Sequence, residues 1–118
     1  MAAPDPPWIS VEEFLQQEER SETKHMYFAG LVTEREGATV EHAMLAMNLC
    51  GELYLALRGR EYVVLGSDVL LETGSQEMLT YPDLMVFCEP AKLKSGKQNI
   101  VTNPTLVVEV LSPPHRSP

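Results

Sequence analysis

The chain is short of several things that would set it apart from ordinary globular proteins. Its 118 residues include two cysteines, Cys50 and Cys88, far apart, in apolar surroundings and without a CxxC or histidine-bearing spacing. That pattern argues against a disulfide framework and against zinc, and it suits a reducing, cytoplasmic location. No apolar run approaches the length of a membrane span, so neither a spanning segment nor a membrane partner is expected. The stretch Met1 to Pro7 lacks both a basic start and an apolar core, which speaks against a signal or transit peptide. Residues 1–9 are read as a flexible tail. Basic residues are scarce, 9 Lys and Arg against 17 Asp and Glu, for a formal charge of −8. Affinity for nucleic acid comes mainly from neutralising phosphates with Lys and Arg, so any such site in this chain must be local. An acidic surplus can equally mark a carboxylate cluster that only a divalent cation makes tolerable.

What remains is close to ordinary usage, with 44% apolar and 22% charged residues, enough for one modest core. Ser10 followed by Glu13 is a capping box, with Ile9 placed to staple onto Phe14, and predicts a helix over residues 10–20. His25 to Phe28 and Leu31 to Thr33, broken by Ala29-Gly30, predict a β-hairpin. From Val40 to Leu57 a stripe of Leu45, Leu49, Leu53 and Leu57, broadened by Met44, Ala46, Met47 and Ala56, predicts the main helix, with Met44 and Met47 as core. Arg58-Gly59-Arg60 closes it. Strands are expected over Tyr62 to Leu65, Val69 to Glu72, Asp83 to Cys88 and Thr105 to Leu111, with a flexible turn around Gly74 to Glu77. This order is α/β or α+β, a mixed sheet flanked by helices. The domain is expected over residues 10–113, with a loose tail over 114–118.

Two acids stand out. Glu109 falls inside Thr105-Leu106-Val107-Val108-Glu109-Val110-Leu111, which reads as a strand covered on both faces. A carboxylate there costs several kcal/mol unless a cation or donors compensate it. Pro82 belongs at a strand start or edge, which puts Asp83 at the mouth of another apolar strand. The two can then meet across neighbouring strands and hold a hard cation such as Mg²⁺. Such an ion activates water and stabilises charge on a phosphoryl oxygen. The plainer alternative makes Asp83 a turn residue and pairs Glu109 with an Arg or Lys.

Val11-Glu12-Glu13-Phe14-Leu15, Tyr27 to Gly30, His42 at the entry to the long helix, Gly66-Ser67-Asp68-Val69, Tyr81-Pro82-Asp83 and Asn103 to Pro113 together resemble the Uma two family of restriction-endonuclease-like proteins, a branch of the PD-(D/E)XK nuclease superfamily. The resemblance runs from about Ser10 to Pro113. It implies a restriction-endonuclease-like core in which Asp83 and Glu109 bind Mg²⁺ or Mn²⁺. The implied activity is that of a magnesium-dependent endodeoxyribonuclease hydrolysing DNA phosphodiesters. Three departures qualify this. The position two after the glutamate, often lysine in the superfamily, is Leu111. Met26 stands where similar sequences carry a glutamate. After Pro113 the chain leaves the family pattern, as a C-terminal truncation would, so an incomplete and exposed sheet and a homodimer are expected. The alternative reading is therefore a noncatalytic remnant of the fold that dimerises or binds nucleic acid.

Further candidates are weaker. Asp68 is a third acid for the site or a loop aspartate satisfying backbone donors. His42 faces the cation or substrate as a donor, or is a polar residue of the helix's first turn. Lys92, Lys94 and Lys97 contact phosphate or form a solvated loop.

Overall fold

A computed structural model of the chain describes residues 8–74 and 78–111. The connection expected at Gly74 to Glu77 and both tails fall largely or wholly outside those residues. Helix α1 (Val11–Arg20) starts where the capping signal places it, with the Ser10 side chain accepting from the Glu13 N–H. The hairpin forms from β1 (His25–Phe28) and β2 (Leu31–Glu34). Its two turn residues, Ala29 at φ 48° and Gly30 at φ 98°, both take positive φ. That is the two-residue turn whose twist matches the strands, and Phe28 pairs with Leu31 across it. Gly30 is fixed twice over, because a Cβ there would lie 2.8 Å from the Trp8 ring.

Helix α2 (Val40–Ala56) is capped by Thr39. After it come β3 (Val63–Leu65), β4 (Leu70–Glu72), β5 (Met78–Thr80), β6 (Leu84–Phe87), β7 (Ile100–Val101) and β8 (Leu106–Val108). Strands β5 and β7 are additional to those expected, and β5 sits in the middle of its sheet. One sheet runs β2-β1-β5-β4-β7, antiparallel except for the parallel β4 and β7 pair; the other is antiparallel with order β3-β6-β8. The fold is thus mixed α+β, as expected.

Strand alternation explains how the layers stack. Leu70 and Ile100 point to one face, where they join Phe14, Leu15, Tyr27 and Leu79 beneath α1. Their neighbours Leu71 and Val101 point to the other, where they meet Met85 and Phe87 of β6. All four residues of β6 are buried, as its uninterrupted apolar run predicts.

Two expectations about packing are corrected. No residue of α2 is buried, and Met44 and Met47 are 60% and 67% exposed rather than core. The helix is apolar around much of its circumference, so its leucine stripe does not define one inward face. Likewise β8 is an edge strand with Leu106 and Val107 partly exposed, not a strand covered on both sides. It ends at Val108, so Glu109 follows the strand instead of lying at its middle.

A buried carboxylate joins α1 to the sheet. Glu18 accepts from the His25 backbone N–H at 2.7 Å and from the Tyr81 hydroxyl at 2.8 Å, and its other oxygen lies 2.8 Å from His25 Nδ1. Desolvation, followed by this hydrogen bond and the charge of Glu18, pushes the Tyr81 phenol well above its ordinary pKa. Tyr81→Phe removes one of the donors to a desolvated carboxylate and is expected to cost about 2 kcal/mol in urea unfolding at pH 7. Because the folded-state pKa is raised, the unfolded chain ionises first as pH climbs. The wild-type advantage is therefore complete below the ordinary tyrosine pKa and shrinks above it.

Candidate active site

Tyr81-Pro82-Asp83 delivers its aspartate to the mouth of β6, as the proline predicts. Strands β6 and β8 pair antiparallel, with Leu84 opposite Val108. Continuing that register by one residue sets Asp83 opposite Glu109, so the two acids meet across neighbouring strand ends. Asp83 is buried, its side chain 4% exposed. Its Oδ1 receives Arg35 Nη2 at 2.9 Å. Its Oδ2 accepts the Val110 N–H at 2.7 Å and lies 3.2 Å from His42 Nε2. That same nitrogen is 3.0 Å from the Val110 carbonyl oxygen, so it faces two acceptors and must carry the proton. Among the described residues the other ring nitrogen, Nδ1, is buried without a hydrogen-bond partner.

Glu109 is exposed as a residue, but its carboxyl turns into the cleft. Desolvation there, then the charge of Asp83 and a hydrogen bond with its side chain, raise the Glu109 pKa above the ordinary value. The charge of Arg35 and a hydrogen bond from the Asp83 backbone pull the other way. A carboxyl pair that one guanidinium compensates only in part is therefore the chemical centre of the site. It opens into a cleft of about 860 Å³ between the hairpin and the start of α2, lined by Lys24, Arg35, His42, Asp83 and Glu109 among others. That volume is sufficient for a small ligand or for one stretch of a larger one.

The other candidates lie elsewhere. The Asp68 side chain is 95% exposed and pairs with Lys24 at 2.9 Å, which holds its pKa below the usual carboxylate value. It is turned outward from the carboxyl pair. Lys94 and Lys97 pair with Glu72 and Glu19, and none of the three loop lysines lines the cleft. Leu111 is 87% exposed. Arg35 is the functional candidate that sequence reasoning missed. It sits in Glu34-Arg35-Glu36, a charged run that reads as a solvated end of a hairpin, and only the folded backbone aims it inward.

A family model described as "Putative restriction endonuclease", Uma2, matches residues 11–117. The chain belongs to the Uma2 family. It is 36% identical over 104 residues to one uncharacterized protein of Synechocystis sp. strain PCC 6803, covering 88% of this chain and 59% of that protein. A second uncharacterized protein of the same organism matches at 36% over 107 residues, 91% of this chain and 55% of the other. This chain thus spans little more than half the length of these relatives. A crystal structure of "a putative nuclease belonging to DUF820" from Anabaena variabilis superposes with a TM-score of 0.70 at 20% identity, over 88% of this chain and 59% of the other. The chain shares that protein's fold.

Among the described residues no group of three or more His, Cys, Asp or Glu is arranged to hold a metal ion. A pair of carboxylates is nevertheless the usual protein contribution to a magnesium site, where water and phosphate complete the shell. The donor chemistry of Asp83 and Glu109 fits such a hard cation. Without metal, the crowded charge should be a liability. Glu109→Gln is expected to raise the thermal midpoint at neutral pH. Because the folded pKa is raised, ionised Glu109 disfavours folding only above the ordinary carboxyl range, so the gain should vanish as pH falls below it. Thermal melts from pH 3 to 7.5 in chelator read this directly.

Proposed function

We propose that this Uma2 chain carries the site of a divalent-metal-dependent endonuclease that hydrolyses DNA phosphodiester bonds, with Asp83 and Glu109 as ligands for Mg²⁺ or Mn²⁺. The observation that carries the reading is the pair itself, two carboxyls set opposite each other at adjacent strand ends and incompletely compensated. Membership of a family described as "Putative restriction endonuclease" supports the choice of substrate. A bound divalent ion would supply an activated water and charge stabilisation at the phosphoryl oxygen.

The chain's own groups have separable tasks. Asp83, fixed by His42 and the Val110 N–H, is the rigid ligand. Glu109, nearer solvent, is the adjustable one and would offer its carboxylate to the cation. His42 orients Asp83 through Nε2. Arg35 and Lys24 are the cations of the cleft wall and the local answer to a chain that is otherwise acidic.

One observation favours a second reading, a noncatalytic module that dimerises or binds nucleic acid. Helix α2 exposes Met44, Leu45, Met47, Tyr54 and Leu55 beside the cleft, a surface suited to a second chain. Supercoiled plasmid incubated with Mg²⁺ or Mn²⁺ separates the two. Nicking that falls roughly a hundredfold in Asp83→Asn and in Glu109→Gln is the outcome expected of the endonuclease. Metal binding without nicking would favour the module, and nicking untouched by either substitution would remove both residues from the site.

A further inference from the structure

Arg35 stands where the carboxyl pair still has room for a cation. Its backbone N–H donates to the Lys24 carbonyl at 2.8 Å, extending the hairpin ladder by a rung and fixing the direction in which the side chain leaves. The guanidinium is 21% exposed and reaches Asp83 Oδ1 at 2.9 Å. Oδ2 already faces two partners, the Val110 N–H and His42 Nε2. Oδ1 holds the Arg35 guanidinium, and it is on this oxygen that Arg35 and a cation would meet. Among the described residues no other Lys or Arg pairs with Asp83 or Glu109. Lys24 is occupied by Asp68 and the Ser67 carbonyl, and Leu111 contributes no charge.

We infer that Arg35 is an internal counter-ion that competes with the divalent cation for Asp83 Oδ1, and that metal loading turns its guanidinium toward the substrate phosphodiester. The inference rests on the metal-dependent reading above and concerns how the same site is held when empty and how it grips substrate when loaded. Two facing carboxyls need positive charge nearby, and a guanidinium supplies one unit where a divalent ion supplies two. Once the ion shares Asp83, the two cations repel and the ion pair loosens. A planar fork of donors then lies in the cleft beside the phosphate position, the geometry for which arginine is better suited than lysine. Arg35 is thus a positioning residue whose two partners, Asp83 and phosphate, are exchanged by the metal. Metal and DNA should consequently bind with positive coupling.

The test measures Mn²⁺ binding by calorimetry, and binding of a short DNA duplex by fluorescence anisotropy in Ca²⁺, for the full chain and for Arg35→Met and Arg35→Lys, with thermal melts for each. Arg35→Met should bind Mn²⁺ about tenfold more tightly and DNA about tenfold more weakly. Arg35→Lys should move both affinities in the same directions by less, and it serves alone if Arg35→Met does not fold. A merely structural role would weaken both affinities together, and that result overturns the inference. So does an unchanged Mn²⁺ affinity in the presence of wild-type binding that Asp83→Asn abolishes; there the metal reading survives and only the competition fails. Absence of Mn²⁺ binding in the wild type and in both Arg35 variants overturns the metal reading and this inference with it. Binding by Arg35→Met but not by the wild type is the competition at its strongest and supports both.

Discussion

The desolvated carboxylate of Asp83 is the constraint on which the arrangement of the chain turns. A buried charge without partners costs several kcal/mol, so the fold must bring donors to it from wherever the sequence holds them. They come from three separate places. Arg35 arrives from the end of β2, His42 from the first turn of α2, and the Val110 N–H from the segment after β8. Without Asp83 the described hydrogen bonds joining these segments reduce to that of His42 Nε2 with the Val110 carbonyl, and α2 has no buried residue to hold its start against the sheets.

The same logic operates at two further acids and shows what is different at the cleft. Glu18 is satisfied by His25 and Tyr81, and Glu72 is met by Lys94 at 2.6 Å. Each of these is a lone carboxylate matched by donors or a cation, which is sufficient for a structural role. The Glu18 network also acts on the site at one remove, because anchoring Tyr81 anchors Pro82 and Asp83 behind it. Asp83 alone has a second carboxyl pressed against it. Burial first and the charge of Asp83 second raise the pKa of Glu109, and proteins sustain such crowding chiefly where it is used.

Local chemistry was legible in the sequence, and tertiary choice was not. Ser10 and Ala29-Gly30 act within a few residues, so α1 and the hairpin turn follow from them directly. The placing of Asp83 was legible for the same reason, since Pro82 restricts where its neighbour can lie. Strands β5 and β7 are only three and two residues long, too short to display a period, and they exist because β1 and β4 offer unpaired edges. Apolar content misled at α2 and β8, because composition states that a segment would gain from burial without stating that anything covers it. Arg35 was hidden by its two glutamate neighbours, and His42 was ambiguous because a first-turn histidine faces inward or outward according to what lies beneath it.

Helix α2 therefore bears on the site more through its surface than through its core. Its first turn places His42 against Asp83, and Ala43, Ala46 and Met47 form the adjoining wall of the cleft. The far side of the same helix is apolar and exposed. Few packing contacts hold that wall, so its position rests heavily on the hydrogen bonds of one histidine. A contact covering α2 would gain the burial its composition favours and would also stiffen His42, the residue that orients Asp83. Occupancy of the outer surface would thereby bear on the geometry of the inner site through the seventeen residues of the helix.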